Sequence, residues 1–289
     1  MDITLSDGRN LAYEIYGPTD GFPILGFHGT PGSRLWFVED DPLLFELNIK
    51  LITIDRPGFG DSDSLPNRSI SEFNTDVKEL IDQLDLSGFS LFGISGGGAY
   101  AAAFAAQGHI GLQKVGLVAS IGQFKRGKAP KEMCRPNRVA FRLARTFPFL
   151  IRFIYQQQKS LIDHKPESYK KSSRLGISHL CPSDQEVMQK TEVLDAMLLQ
   201  MKEAFKQGVK EVPIELKLLA SPWDFELQEI KVPTFIWHGT ADTLSPISSA
   251  IDLAQKIPNA QTFFQEGKGH FLDEDPKVWR HILQNLSAG

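Results

Sequence analysis

The sequence predicts an α/β fold, a mostly parallel and doubly wound sheet with an inserted helical cap. Three observations support this prediction. Short apolar runs of strand length alternate with helical patterns in residues 1–120. The alternation stops in residues 121–230, where helical patterns are separated by prolines, and it resumes in residues 231–289. Because strands that are apolar throughout belong to sheets covered on both faces, we expect a parallel core of two segments around one helical cap.

The individual elements follow in order from the same periodicity. Before the interruption, strands are expected at Ile3–Ser6, Asn10–Tyr16, Pro23–Phe27, Lys50–Ile54, Phe89–Phe92 and Val115–Ser120, with helices at Val38–Leu47, Ser71–Leu84 and Ala99–Gln107. After it, strands are expected at Val232–Trp237 and Thr262–Gln265, with helices at Ile247–Ile257 and Pro276–Leu286. The helices show apolar residues at three- and four-residue intervals, and the alanine-rich one is suited to close packing on a sheet.

Charge and composition argue against several classes of partner. The 289 residues carry a formal net charge of −4, which gives no global attraction to nucleic acid or membranes. The first residues lack the pattern of a signal peptide, and no apolar run approaches the ~20 residues of a membrane span. Two cysteines are too few for a disulfide framework or a cysteine-based metal site. We therefore expect a cytoplasmic protein that acts on a small molecule and has no metal, nucleic acid or membrane partner. The sequence does not determine its oligomeric state.

A nucleophile is predicted at Ser95. The segment Gly93-Ile94-Ser95-Gly96-Gly97 matches G-x-S-x-G and stands between an apolar run and an alanine-rich run. This context is typical of a sharp strand-to-helix turn that exposes a serine hydroxyl. The alternative is a glycine-rich turn or a phosphate-binding loop, but the segment lacks both the G-K-[ST] ending and the G-x-G-x-x-G spacing.

An acid and a base are available farther along the chain. A serine hydroxyl needs an adjacent base, and the base needs an orienting acid. Asp242 follows one predicted strand and His270 follows the last one, which gives the chain order nucleophile, acid, base that accompanies this turn. Like Ser95, both stand at carboxyl ends of strands, where active sites of open α/β sheets gather. His238 precedes Asp242 and is interpreted as a strand-end residue.

These segments resemble the α/β-hydrolase family, of the serine-nucleophile type with a helical cap, over nearly the whole chain outside the cap. The matching segments are Gly93–Gly97, the strand-Gly-x-x-Asp run ending at Asp242, Gly269-His270-Phe271, His28-Gly29, and Asp55 through Ser62. The resemblance implies the α/β-hydrolase fold and a reaction without metal or organic cofactor. It also implies roles for three residues: Ser95 as nucleophile, His270 as general base and then acid, and Asp242 as the orienting carboxylate.

Two backbone N–H donors are needed for the oxyanion of the tetrahedral intermediate. The residue after the nucleophile, Gly96, is expected to supply one. The other is expected from the loop that begins at His28. Pro31 has no N–H to offer, and the resemblance to relatives with His-Gly-x in this loop favours Thr30 over Gly29.

The predicted function is hydrolysis of an ester or related acyl bond of a small molecule through an acyl-enzyme. One alternative on the same fold is a cofactor-free haloperoxidase or perhydrolase. A second is a prolyl-aminopeptidase-like activity, although those relatives usually have Gly-Gly-Ser-Trp-Gly at the turn. A third is a non-catalytic binding or signalling protein. Ser95 argues against dehalogenases and epoxide hydrolases, which have aspartate there.

Substrate choice is expected to depend on the cap. Residues 125–174 contain 14 lysines and arginines and three acidic residues, whereas residues 175–230 contain five lysines and ten acidic residues. These runs are interpreted either as solvated helices that attract each other or as a basic surface favouring anionic substrates or an acidic partner. A few of the following apolar cap residues are expected to touch substrate: Phe141, Phe147, Phe149, Phe153, Tyr155, Met188, Met197 and Met201.

Overall fold

One sheet of eight strands forms the centre of the fold. The structure is a computed structural model, and it describes residues 1–37 and 41–287. The strands are β1 (Asp2–Thr4), β2 (Asn10–Tyr16), β3 (Phe22–Phe27), β4 (Ile49–Ile54), β5 (Phe89–Ile94), β6 (Leu112–Val118), β7 (Thr234–Gly239) and β8 (Ala260–Gln265). Their order across the sheet is β1-β2-β4-β3-β5-β6-β7-β8. β2 pairs antiparallel with β1 and β4, and all the other pairs are parallel.

Helices cover both faces of the sheet. The helices outside the stretch between β6 and β7 are α1 (Asp41–Leu47), α2 (Phe73–Gln83), α3 (Gly97–Gln107), α10 (Ile247–Lys256) and α11 (Pro276–Ser287). Apolar residues of α2, α3 and α10 share one buried cluster with strand residues such as Leu25 and Ile52. Residues of α1 and α11 share another with Ile24 and Leu51, the neighbours that point to the opposite face. The predicted fold class, including coverage of both faces, is confirmed.

Six helices lie between β6 and β7. They are α4 (Arg135–Thr146), α5 (Pro148–His164), α6 (Pro166–Leu175), α7 (Pro182–Val187), α8 (Thr191–Ala204) and α9 (Glu211–Ala220). Four of them begin with a proline at the first or second position, where its missing N–H is not needed. No helix in the two described ranges combines the length and the apolar composition needed to cross a membrane.

The predicted element boundaries differ from the observed ones mainly at strand and helix ends. β5 runs to Ile94, two residues beyond the prediction, so that Ser95, the predicted nucleophile, follows it directly. β6 begins at Leu112 and ends at Val118, earlier than predicted. The helix predicted at Val38–Leu47 begins at Asp41 in the structure, and its first three residues lie outside the described ranges.

Candidate active site

Ser95 occupies the sharp turn between β5 and α3, with a positive φ of 55°. Its N–H donates a hydrogen bond to the carbonyl of Val118 on β6, at 2.9 Å, and its carbonyl accepts one from Ile121, at 3.1 Å. A Cβ at Gly93 would lie 2.2 Å from the carbonyl oxygen of Gly97, and one at Gly97 would lie 2.3 Å from that of Phe27. Both glycines are therefore required because neighbouring backbone passes too close for any side chain.

The carboxylate of Asp242 holds the ring of His270. Nδ1 of His270 lies 2.7 Å from Oδ2 of Asp242. The other carboxylate oxygen, Oδ1, accepts hydrogen bonds from the N–H groups of Leu244 at 2.8 Å and Ser245 at 2.9 Å. These bonds fix the orientation of the carboxylate, so that Nδ1–H of the ring donates to it and Nε2 is left free to accept a proton.

His238 is a second histidine beside Asp242. It lies in β7, as expected for a strand-end residue, and its Nε2 donates to the carbonyl of Ser245 at 2.6 Å. The same Nε2 is 3.5 Å from Oδ2 of Asp242. Burial lowers the pKa of His238, so the ring stays neutral and adds no charge to the pair formed by Asp242 and His270.

The main chain of His270 is held by a residue that the sequence reading missed. Both oxygens of Asp184, on α7, accept the N–H of His270, at 2.9 and 2.8 Å, and Oδ1 also accepts that of Phe271 at 3.3 Å. Asp184 is 2% exposed. A helix from the stretch between β6 and β7 thus fixes the loop that presents the histidine.

Carboxylates around His270 raise its pKa. Burial on its own would lower the pKa by disfavouring the imidazolium, but the charge and hydrogen bond of Asp242, with smaller contributions from Asp184 and Asp273, outweigh it. A general base must be neutral, so activity should fall as the pH falls through this raised value.

We therefore expect the acid limb of kcat/KM to have its midpoint above pH 6.5, the ordinary value for histidine. Asp273→Asn removes one of the carboxylates and should move the limb to lower pH. The measurement is kcat/KM for a p-nitrophenyl ester from about pH 5 to 9. A limb below the ordinary value, or one that moves upward in the variant, would contradict this assignment.

Gly96 and Thr30 lie against each other beside Ser95. A Cβ at Gly96 would lie 2.3 Å from Oγ1 of Thr30. Within the described ranges, neither backbone N–H donates a hydrogen bond. Two unpaired N–H groups close to a serine hydroxyl can stabilise negative charge on a bound carbonyl oxygen. Gly29 does not line the cavity that contains these two residues.

A buried ionic network lies beneath Thr30. The guanidinium of Arg56 donates to the carbonyl oxygens of His28 and Gly29, and to Oγ1 of Thr30 at 2.8 Å. Glu215 of α9 accepts from Arg56 at 3.3 Å and from Arg68 at 3.0 Å.

Burial tends to raise the pKa of Glu215, but Arg56 and Arg68 more than offset it and hold the pKa below its ordinary range. The carboxylate therefore stays ionised. It also accepts the hydroxyl of Tyr100 at 2.6 Å, while Glu211, one turn earlier on the same helix, pairs with Arg68 at 2.7 Å.

One cavity of about 370 Å³ contains four of the predicted site residues: Thr30, Ser95, Gly96 and His270. Asp242 lies behind His270. Of the eight apolar candidates named from the sequence, Phe141, Tyr155, Met197 and Met201 line this cavity, whereas Phe147, Phe149 and Phe153 are exposed and Met188 packs in a separate buried cluster. The polar lining includes Asn137, Gln158 and Gln200, and no lysine, arginine, aspartate or glutamate lines the cavity within the described residues.

Some residues of the site were not predicted, and the sequence indicates some of them more clearly than others. Arg56 stands inside the run from Asp55 to Ser62, one of the segments that resemble the α/β-hydrolase family. The run could therefore have indicated that Arg56 belongs to the site. Glu211 and Glu215 show only the i, i+4 spacing of one helix side. Their partners are up to 159 residues away along the chain, and nothing local indicates the pairing.

Comparison with known proteins shows the relationship of this chain to others. A family model described as alpha/beta hydrolase fold matches residues 23–275. A non-heme chloroperoxidase of Streptomyces lividans is 29% identical over 96% of this chain and 95% of its own length. A 2-hydroxy-6-oxononadienedioate/2-hydroxy-6-oxononatrienedioate hydrolase of Cupriavidus pinatubonensis is 26% identical over 96% of this chain and 90% of its own. The structure of the esterase RhEst1 from Rhodococcus covers all of this chain and 98% of its own, with a TM-score of 0.71 and 20% identity.

Proposed function

This chain belongs to the α/β-hydrolase family, and on that premise we propose that it hydrolyses an ester or related acyl bond of a small molecule through an acyl-enzyme on Ser95. The observation that carries the proposal is the hydrogen bond between His270 and Asp242 behind a cavity that Ser95 also lines. The nucleophile, the acid and the base also follow one another in the chain order that is typical of this fold.

In the proposed reaction, Oγ of Ser95 attacks the ester carbonyl while Nε2 of His270 takes its proton. The N–H groups of Gly96 and Thr30 stabilise the oxyanion. Collapse of the intermediate expels the alcohol, which receives the proton from His270 and leaves an acyl-serine. Water, activated by His270, then attacks the acyl group and releases the acid and free Ser95. Asp242 keeps the ring orientation and stabilises its positive charge throughout.

We propose that residues 121–230 act as a cap that sets substrate choice. Twelve of the 21 residues that line the cavity come from this range. Its volume of about 370 Å³ suits a small ligand. The lining is mainly apolar with neutral amides and phenols, which supports an uncharged substrate. A dienedioate, the substrate class named for the Cupriavidus relative, carries two carboxylates, and among the described residues no lysine or arginine lines this cavity to pair with them.

Perhydrolysis is a second candidate, favoured by the similarity to the chloroperoxidase. The same acyl-enzyme would then be attacked by hydrogen peroxide, giving a peracid and free Ser95, and the peracid would oxidise halide outside the enzyme. The two reactions differ only in the second nucleophile. Measuring peracid against free acid from one ester, with and without peroxide, distinguishes them.

Ser95→Ala should abolish both ester hydrolysis and labelling by a fluorophosphonate probe, because this probe reacts only with an activated serine. Ser245→Ala is the matched control, since Ser245 lines the same cavity but its hydroxyl donates to the carbonyl of Ser120 at 2.7 Å. The control should keep the label, which mass mapping of wild-type protein should locate on Ser95. An unlabelled wild type would support the non-catalytic alternative.

A further inference from the structure

A groove of about 990 Å³ runs along α4 and contains none of the proposed catalytic residues. Its charged lining is entirely basic: Lys128, Lys131, Arg135, Arg138, Arg142 and Arg145. The four arginines recur at intervals of three, four and three residues, so they lie on one side of the helix. All six side chains are exposed, and none of them forms an ion pair with an acidic residue of the described ranges.

Such a cluster is electrostatically unfavourable by itself. Six neighbouring cations repel one another, and their potential concentrates anions from solution. The chain as a whole is acidic, with a net charge of −4, so the excess of basic residues in 125–174, to which the groove belongs, is local. An anionic partner would relieve the repulsion.

An exposed apolar patch adjoins the groove at the start of α5. Its members are Phe147, Phe149, Leu150, Phe153 and Ile154, and Phe149 and Phe153 are 65% and 62% exposed. The last four have the i, i+1, i+4, i+5 spacing of one helix side. Thr146 lines the groove and Phe147 follows it directly, so the patch and the groove are continuous. A contiguous patch of this kind marks an interaction surface.

The net charge led to the expectation of no membrane partner, but on the local arrangement of charge and apolar groups we propose that the α4–α5 face, meaning the six basic residues and the five apolar residues named above, binds an anionic lipid surface. Cations held beside exposed aromatic and aliphatic side chains fit such a surface, because anionic headgroups meet the cations while the apolar groups enter the boundary of the acyl chains. This binding would bring the whole enzyme to a membrane and does not depend on the chemistry at Ser95.

Two other occupants fit the face less well. A second copy of the chain that covered the apolar patch symmetrically would bring two sets of six cations together. A nucleic acid would satisfy the cations, but Leu150 and Ile154 offer its phosphates and bases only aliphatic surface. The charge and the apolar groups together therefore favour lipid.

The test is sedimentation of the full-length protein with vesicles of phosphatidylcholine containing roughly 30% phosphatidylserine, beside vesicles of phosphatidylcholine alone. We expect binding to the anionic vesicles that weakens as salt is raised from about 0.1 to 0.5 M, because salt screens the attraction. Ser95→Ala should bind as wild type does.

Paired variants separate the two contributions. Arg138→Gln/Arg142→Gln should weaken vesicle binding by roughly 25-fold, about fivefold for each cation removed. Phe149→Ser/Phe153→Ser should weaken vesicle binding by about tenfold or more. The binding that persists in this variant should be more sensitive to salt than that of the wild type. The matched control, Lys231→Gln/Lys277→Gln, removes the same charge from exposed positions outside this face and should have no effect.

Three outcomes would overturn the proposal. One is absence of binding to the anionic vesicles at low salt. Another is equal loss in the arginine pair and the lysine pair, which would mean a non-specific charge effect. The third is that the protein does not bind vesicles but uses the same face for self-association or for binding a duplex oligonucleotide.

Discussion

Replacing Asp242 by asparagine is expected to lower kcat about 10⁴-fold without disturbing the fold. The amide can keep one oxygen on the N–H groups of Leu244 and Ser245, which hold Oδ1 in the wild type. Its NH₂ then faces Nδ1 of His270, where an acceptor stood before. The ring must accept at Nδ1 and carry its proton on Nε2, which leaves no lone pair to take the proton of Ser95.

The measurement is kcat for a p-nitrophenyl ester, with the rate of fluorophosphonate labelling as a second readout. Both should drop together, while the thermal unfolding midpoint stays near that of the wild type. Asp163→Asn is the control, because Asp163 is an exposed residue of α5 that pairs with Lys159, so its replacement should leave kcat unchanged. A loss of less than about tenfold in Asp242→Asn would argue that another acid orients the ring.

Glu215→Gln is expected to cost about 3–5 kcal/mol of unfolding free energy, because it leaves Arg56 buried without a counter-charge. Arg56 and Glu215 are both fully buried. Because Arg56 also holds the loop at Thr30, the variant should in addition lower kcat more than it raises KM, as expected when a transition-state contact is weakened.

Glu211→Gln separates the structural effect from the catalytic one. Glu211 lies one turn away on the same helix and is also buried, but it pairs with Arg68 and not with Arg56. It should lower the unfolding midpoint and leave kcat intact. Equal kcat in the two single variants would contradict a positioning role for Arg56.

The fold was predictable because its determinants are local. Each pattern lies within one short segment of the sequence. Examples are the apolar runs of five or six residues, as in β4, and the helical spacing of apolar residues in α2. The order of strands across the sheet depends on pairing between distant segments, which no local pattern records. Element ends were displaced where, as at Ile94, backbone hydrogen bonding extends beyond the apolar run.

The candidate site divides in the same way. Asp242 and His270 could be selected from their own surroundings, and the structure places them within hydrogen-bonding distance. Asp184 and Glu215 could not be selected, because each acts through a partner remote in sequence and looks locally like a surface helix residue. Phe147, Phe149 and Phe153 stood among eight apolar candidates of which only a few were expected to touch substrate, since apolar composition alone does not say which side of a helix is covered.

The contacts made by Asp184 and Glu215 have a consequence for protein engineering. One fixes the main chain of His270 and the other fixes Arg56, so two helices from the stretch between β6 and β7 complete the framework around the reacting groups. A chimera that received this stretch from a relative without these two carboxylates would therefore lose both anchors. An incoming stretch must therefore carry carboxylates at positions 184 and 215 if His270 and Arg56 are to keep their places.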